Sequence, residues 1–194
     1  MIEYSELEKF ARHRLPEGLY SHCVATGRTA LDLATHHRFD SRRARAAGLL
    51  HDIARSLNDG KLIEEAERFG IVVSALERTA PVLLHGKVGA KVVETELGIT
   101  DAQIIEAIAV HTTGACGMGA IARIVFVADY AEPTRDLPGA DEVRALLPER
   151  LDEAVLTVVR HKIDHVMQSG AAVDPRCVEL RDELVQKMPG RVEP

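Results

Sequence analysis

The chain has 194 residues, 46% of them hydrophobic and 28% charged, which excludes collagen-like, mucin-like and disordered organisation and predicts one globular domain over 1–194. Its net charge of -6 supplies no basic field to draw the chain to nucleic acid or anionic lipid, so any anionic ligand needs a locally positive site. Cys23, Cys116 and Cys177 are far apart and form no CxxC pair, against both a disulfide framework and a thiolate zinc site.

The first residues, MIEYSELEK, carry neither a basic leader region nor an apolar one, and no later run approaches the ~20 apolar residues that span a bilayer. The expectation is a cytoplasmic protein with no membrane partner. Ser5-x-x-Glu8 reads as a capping box opening a short helix over 5–14. Helical composition continues over 17–37, 41–55, 58–69 and 81–97. Thr100-x-x-Gln103 reads as a second capping box ahead of Ile104, Ile105 and Ile108. Further helices are expected over 118–131, 141–167 and 175–188, with Pro148 kinking or splitting the long one. Gly70, Pro81, Gly98, the loop TTGACGMG at 112–119, Glu132-Pro133, Leu137-Pro138-Gly139 and Gly170 punctuate the chain. No segment has the signature of a strand. The prediction is an all-α domain of about eight to ten helices.

Nine histidines outnumber the four Phe and three Tyr together, with no Trp. AGLLHDIAR sets His51 beside Asp52 at the end of an apolar helix. Alone, such a doublet reads more readily as a capped, hydrogen-bonded pair than as a metal site. Its company changes that reading: His22 in LYSHCVATG, His85 in PVLLHGKVGA, His111 in AIAVHTTG and Asp129 in IVFVADYAEPTR each sit on or beside an apolar stripe. Six polar groups buried in one small domain need a common partner, and a metal cluster supplies one. Four imidazoles with two carboxylates suit iron, manganese, cobalt or zinc rather than magnesium or calcium. They also exceed the four ligands of a closed structural zinc site, which favours an open or two-metal catalytic centre. His13, His36 and His37 lie in charged surroundings, and the i,i+4 pair His161 and His165 has no ligand-like neighbour, so these read as solvated or capping residues. Cys23, next to His22, reads as a buried thiol rather than a nucleophile.

The order H…HD…H…H…D, met by His22, His51-Asp52, His85, His111 and Asp129, resembles that of the HD-domain metal-dependent phosphohydrolases. The stretches AGLLHDIAR, PVLLHGKVGA, AIAVHTTG, VADYAEPTRDLPGADEVRALL and GAAVDPRCVEL are more specifically similar to the YqeK family of symmetrical diadenosine tetraphosphate hydrolases, over about 17–187. The resemblance implies an all-α HD-domain bundle and hydrolysis of diadenosine tetraphosphate to two ADP with one or two iron ions. It implies that His22, His51, Asp52 and Asp129 hold a first metal, while His85 and His111 hold a second or face the phosphates, Asp52, His85 and His111 being the catalytic set. Arg55, where the family usually has lysine, and Arg135, the arginine of EPxR, are the implied phosphate clamps; Lys87, which reads more readily as an exposed lysine, and Asp174 are further candidate substrate contacts.

Two features depart from the family pattern. Leu19 stands where an arginine is common, and Asp174-Pro175 with Arg181-Asp182 replaces a motif that usually carries a histidine before the proline and an asparagine after the arginine. Both departures bear on nucleotide selectivity. Leu19 keeps open an HD-domain phosphohydrolase for another nucleotide or small phosphate ester; from a different class, a non-catalytic nucleotide-binding regulator is the other alternative, against which the intact six-residue set argues. The expected partner is a small dinucleoside polyphosphate, and the oligomeric state is left open, a homodimer included. No GxxxxGK[ST] loop or GxGxxG fingerprint occurs, so P-loop and Rossmann chemistry have no motif to rest on.

Overall fold

The computed structural model describes residues 3–188, so both ends of the predicted 1–194 domain lie outside the described residues. Eleven α-helices and one 3₁₀ turn follow one another, with no strand among the described residues. They are α1 (Tyr4–Arg14), α2 (Glu17–His36), α3 (Ser41–Leu50), α4 (Asp59–Arg68), α5 (Ala75–Thr79), the 3₁₀ turn Pro81–Leu84, α6 (His85–Glu96), α7 (Ala102–Val110), α8 (Ala120–Ala131), α9 (Ala140–Leu146), α10 (Leu151–Gln168) and α11 (Pro175–Lys187). The expected long helix is split at Pro148 into α9 and α10.

Helix starts differ from the sequence expectation in a consistent way. Ser5 lies inside α1, whose N-cap is Glu3 without a side-chain cap bond. Thr100 yields its place to Asp101, whose carboxylate accepts from the amides of Gln103 and Ile104; an ionised acceptor beside a helix N-terminus outcompetes a hydroxyl. A capping box does occur, between Ser74 and Glu77. It opens α5, whose five residues are too few to show a hydrophobic period.

The core is centred on α2, α3, α7 and α8: α2 packs along α3 and against α8, α3 also meets α7 and α8, and α7 meets α6 and α8. Leu49, Leu50, Ile108, Ile124 and Phe126 are fully buried there, among many alanines. Small residues let the helix axes approach, and two glycines set the closest crossings. A Cβ on Gly48 would meet Gly27 Cα at 2.9 Å, Gly27 N at 3.0 Å and Thr26 O at 3.1 Å. A Cβ on Gly86 would meet Ile108 O and Ala109 O at 2.9 Å each. The first crossing brings His22 of α2 to His51 at the end of α3; the second brings His85 of α6 to His111 at the end of α7. All the obstructing atoms are backbone, so Gly48→Ala must separate α2 from α3. A destabilisation of about 1–3 kcal/mol is expected, seen as a lowered Tm, and a melt indistinguishable from wild type would remove the packing role given to Gly48.

Candidate functional site

The six side chains singled out along the chain, from five separate stretches of core, converge on one buried cluster. His51 is 0% exposed, His111 2%, His85 4%, Asp52 5%, His22 8% and Asp129 9%. Helix ends place most of them. His51 caps α3, His85 begins α6 and His111 caps α7, while His22 and Asp129 lie within α2 and α8.

The cluster has two halves. In one, His22 Nε2 lies 3.1 Å from Asp129 Oδ1 and 3.3 Å from His51 Nε2, with His51 Nε2 3.5 Å from Asp129 Oδ1. In the other, His85 Nε2 and His111 Nε2 lie 2.9 Å apart and 3.1 and 3.3 Å from Asp52 Oδ1. Asp52 joins them, because its Oδ2 is 3.6 Å from His51 Nε2. Donor atoms gathered around one ion at about 2.0–2.2 Å stand roughly 3.0–3.5 Å apart, which is the spacing found in both halves.

Tautomers strengthen the case for a cation. The Nδ1 atoms of His51, His85 and His111 donate to the carbonyls of Gly48, Val82 and Ile108, each three residues back. His22 Nδ1 donates to Glu132 Oε1 at 3.1 Å. With the proton on Nδ1, a neutral ring presents only a lone pair at Nε2. All four Nε2 atoms face the shared interior, where two lone pairs 2.9 Å apart repel unless a cation lies between them. This is the arrangement in which a ligating histidine is oriented by a partner on its other nitrogen.

Electrostatics agree. Burial alone would raise the carboxyls of Asp52 and Asp129, yet both are held well below the usual carboxylate range, Asp52 by His51, His111 and His85, and Asp129 by His22 and His51. Burial works against a charged His51, but the carboxylates of Asp52 and Asp129 raise it to about 9. Burial pushes His111 down to about 4, and the neighbouring His51 and His85 reinforce this against the pull of Asp52. A proton on His51 thus supplies positive charge that a divalent ion would bring in greater measure. The donor set fits a divalent metal.

The residues expected to contact substrate are less uniform. Arg135 reaches the cluster: its Nε donates to Asp129 O at 3.1 Å, and its Nη2 lies 2.9 Å from Asp129 Oδ1 and 3.0 Å from His22 Nε2. Arg55 is exposed on the turn after the His-Asp doublet, its amide donating to Asp52 O. Lys87 is neither free nor fully exposed, because its Nζ lies 2.7 Å from Oε1 of the buried Glu77. Asp174 caps α11 through the Arg176 amide, and both its oxygens take Arg176 guanidinium bonds. Arg176 also reaches Glu77 Oε1 at 3.1 Å. Lys87 and Asp174 are therefore joined in a Glu77–Lys87–Arg176–Asp174 network that ties α5, α6 and α11 together.

That network carries a pH expectation. Burial opposes ionisation of Glu77 and Asp174, but Lys87 and the Ser74 amide lower Glu77, and Arg176 lowers Asp174. A carboxyl depressed in the folded state contributes stability that is present above its unfolded value and lost as pH falls through its folded one. Stability should therefore decline from about pH 4.5 downward, and Glu77→Gln should flatten that acid limb in denaturant titrations. An unchanged acid limb would contradict the contribution given to Glu77.

Three supporting residues escape the sequence reading. Buried Glu132 accepts from His22 Nδ1 and from Thr134. Arg144 donates to the carbonyls of Ala131, Glu132 and Arg135, shaping the turn that presents Arg135. Lys162 Nζ donates to the carbonyls of His111 and Thr112. EPxR could have pointed to Glu132; only tertiary contact reveals the other two. The remaining histidines stay outside the cluster as expected: His13 bonds to Lys9 O, His36 and His37 pack on each other, His161 pairs with Glu142, and His165 is exposed. Cys23 and Cys177 are buried and free, Cys116 is exposed and free, and burial first, then Asp52 and Asp129, pushes the Cys23 thiol up, away from thiolate chemistry.

Comparison with known proteins follows the same residues. The HD domain family model matches residues 19–134. The chain is 34% identical over 164 residues to the symmetrical bis(5'-nucleosyl)-tetraphosphatase of Bacillus subtilis (strain 168), covering 84% of this chain and 88% of that protein. It is 29% identical over 180 residues to the protein of the same name from Staphylococcus aureus (strain NCTC 8325 / PS 47), with 92% of each covered. A crystal structure from Clostridium acetobutylicum, described as a predicted HD superfamily hydrolase involved in NAD metabolism, superposes with a TM-score of 0.92 at 32% identity, over 97% of this chain and 100% of that one. The chain therefore belongs to the HD-domain phosphohydrolases, in the YqeK-type group of symmetrical bis(5'-nucleosyl)-tetraphosphatases.

Proposed function

We propose that the protein hydrolyses diadenosine tetraphosphate symmetrically to two ADP in the cytoplasm, with iron as its resident metal. The observation that carries this reading is Asp52, whose two oxygens face different histidine sets within one buried cluster. Iron rests on the family resemblance; the donor set equally accepts manganese, cobalt or zinc. In this reading His22, His51, Asp52 and Asp129 hold a first ion, and His85 and His111 with Asp52 a second. A divalent ion so held supplies charge neutralisation at a phosphate and acidifies water at neutral pH.

The protein's own groups do the rest. Water adds to one of the two inner phosphorus atoms, the central P–O–P bond breaks, and each half leaves as ADP. Charge gathers on the phosphoryl oxygens, and Arg135, tethered beside Asp129 and His22, is placed to meet it. Its planar fork can take two oxygens at once. Arg55, exposed at the rim, meets phosphate farther along the substrate. Lys87 and Asp174 shape the rim through Glu77 and Arg176 rather than by presenting free charges.

A panel of dinucleoside polyphosphates, mononucleotides and an aryl phosphate, assayed with iron, with manganese and after chelation, tests the reading. Metal-dependent turnover fastest on diadenosine tetraphosphate is expected. Faster mononucleotide hydrolysis would favour the rival phosphohydrolase, for which Leu19 is the sequence argument. Binding without turnover under every metal would leave a regulator.

A further inference from the structure

Lys162 lies on α10, beyond the residues 19–134 matched by the family model. Its ammonium is drawn inward rather than to solvent, with the side chain 21% exposed. Nζ donates to His111 O at 3.1 Å and to Thr112 O at 3.0 Å, lies 4.5 Å from the centre of the Phe126 ring, and stands 4.0 Å from Asp129 Oδ2. The two carbonyls belong to the end of α7, where no further helical turn supplies donors. A lysine 51 residues downstream of His111 thus completes that helix end with two hydrogen bonds and a favourable charge.

We propose that Lys162 is a positioning residue for the second half of the cluster: by clamping the His111–Thr112 backbone against Asp129, it fixes His111 Nε2 where it must stand beside His85 and Asp52. The His111 ring is already oriented by its own Nδ1 bond to Ile108 O; Lys162 sets the position of the backbone that carries the ring. The same ammonium faces Asp129 across to the first half, so one cation on a separate helix registers α7 against α8. Thr112 Oγ1 lies 3.2 Å from His85 Nε2 and 3.3 Å from His111 Nε2, so a shift of this turn falls first on Thr112, His111 and His85, while His51 meets it only through the edge of the His111 ring, with 4.8 Å between centroids. The inference rests on the two-half reading of the cluster given above, and its test separates the two.

Lys162→Met keeps the stem against Phe126 and removes the ammonium; Lys162→Arg restores donors and charge. Chelator-stripped proteins are titrated with Mn²⁺ by calorimetry, and kcat and KM are measured separately on diadenosine tetraphosphate. In Lys162→Met the first Mn²⁺ equivalent should bind no more weakly than in wild type, because losing a positive charge 4.0 Å from Asp129 Oδ2 does not weaken a cation held there. Affinity for the second should fall about tenfold or more, as is typical when a group supporting a ligand is lost. kcat should fall by a similar factor, with KM changed less than about threefold, and Lys162→Arg should recover most of both. If the methionine variant does not fold, Lys162→Gln, which retains amide donors without the charge, takes its place. Unchanged second-equivalent binding, or equal weakening of both equivalents, would overturn the role given to Lys162. A single equivalent in wild type would overturn the two-half reading itself, and with it this inference.

Discussion

Replacing Asp52 by alanine should lower turnover of diadenosine tetraphosphate by about a thousandfold or more, a loss of roughly 4 kcal/mol of transition-state stabilisation. Most bound metal should be lost while the helical circular-dichroism signal persists. Asp52 is singled out because its two oxygens divide between the halves: Oδ2 faces His51, and Oδ1 faces His85 and His111. Its carboxylate is also the largest of the nearby charges that raise His51. Removing it leaves three imidazoles facing one another with less negative charge among them, so neither half should keep its cation. Retention of more than about a tenth of the activity, a loss of roughly 1.4 kcal/mol or less, would take Asp52 out of the centre of the mechanism.

Arg135→Lys should cost about ten- to a hundredfold in kcat/KM on the dinucleotide, and less on a mononucleotide. The guanidinium makes separate contacts through Nε and Nη2, to the Asp129 carbonyl and carboxylate. A single ammonium cannot hold both anchors and still offer a planar pair of donors to phosphate. A mononucleotide presents fewer phosphates to clamp, so the ratio of the two activities is the informative readout. Equal losses on both substrates would show that Arg135 serves the cluster rather than substrate choice.

The candidate cluster was legible because its members are polar residues in apolar helices, a pattern that physical chemistry penalises unless the groups share a partner. All six converge as that penalty demands. The all-helical fold was legible from periodicity, and Pro148 marked the split between α9 and α10. Helix starts were not fixed by spacing: Ser5 and Thr100 match the capping-box pattern, yet Glu3 and Asp101 take the N-cap positions. The expected substrate contacts were only partly legible. Lys87 and Asp174 carry suitable chemistry, but whether a charge is free or spent depends on what tertiary packing brings beside it, here Glu77 and Arg176. Lys162 and Arg144 were hidden for the same reason, since main-chain carbonyls as partners leave no trace in the order of side chains.

On the function proposed above, the cluster cuts a four-phosphate chain at its middle bond. Chromatographic identification of the nucleotides released from diadenosine tetraphosphate by the metal-loaded protein, followed from the earliest turnover, tests it most directly. ADP as the sole nucleotide product is expected, with none formed by the Asp52→Ala protein; equal release of AMP and ATP would contradict symmetrical cleavage.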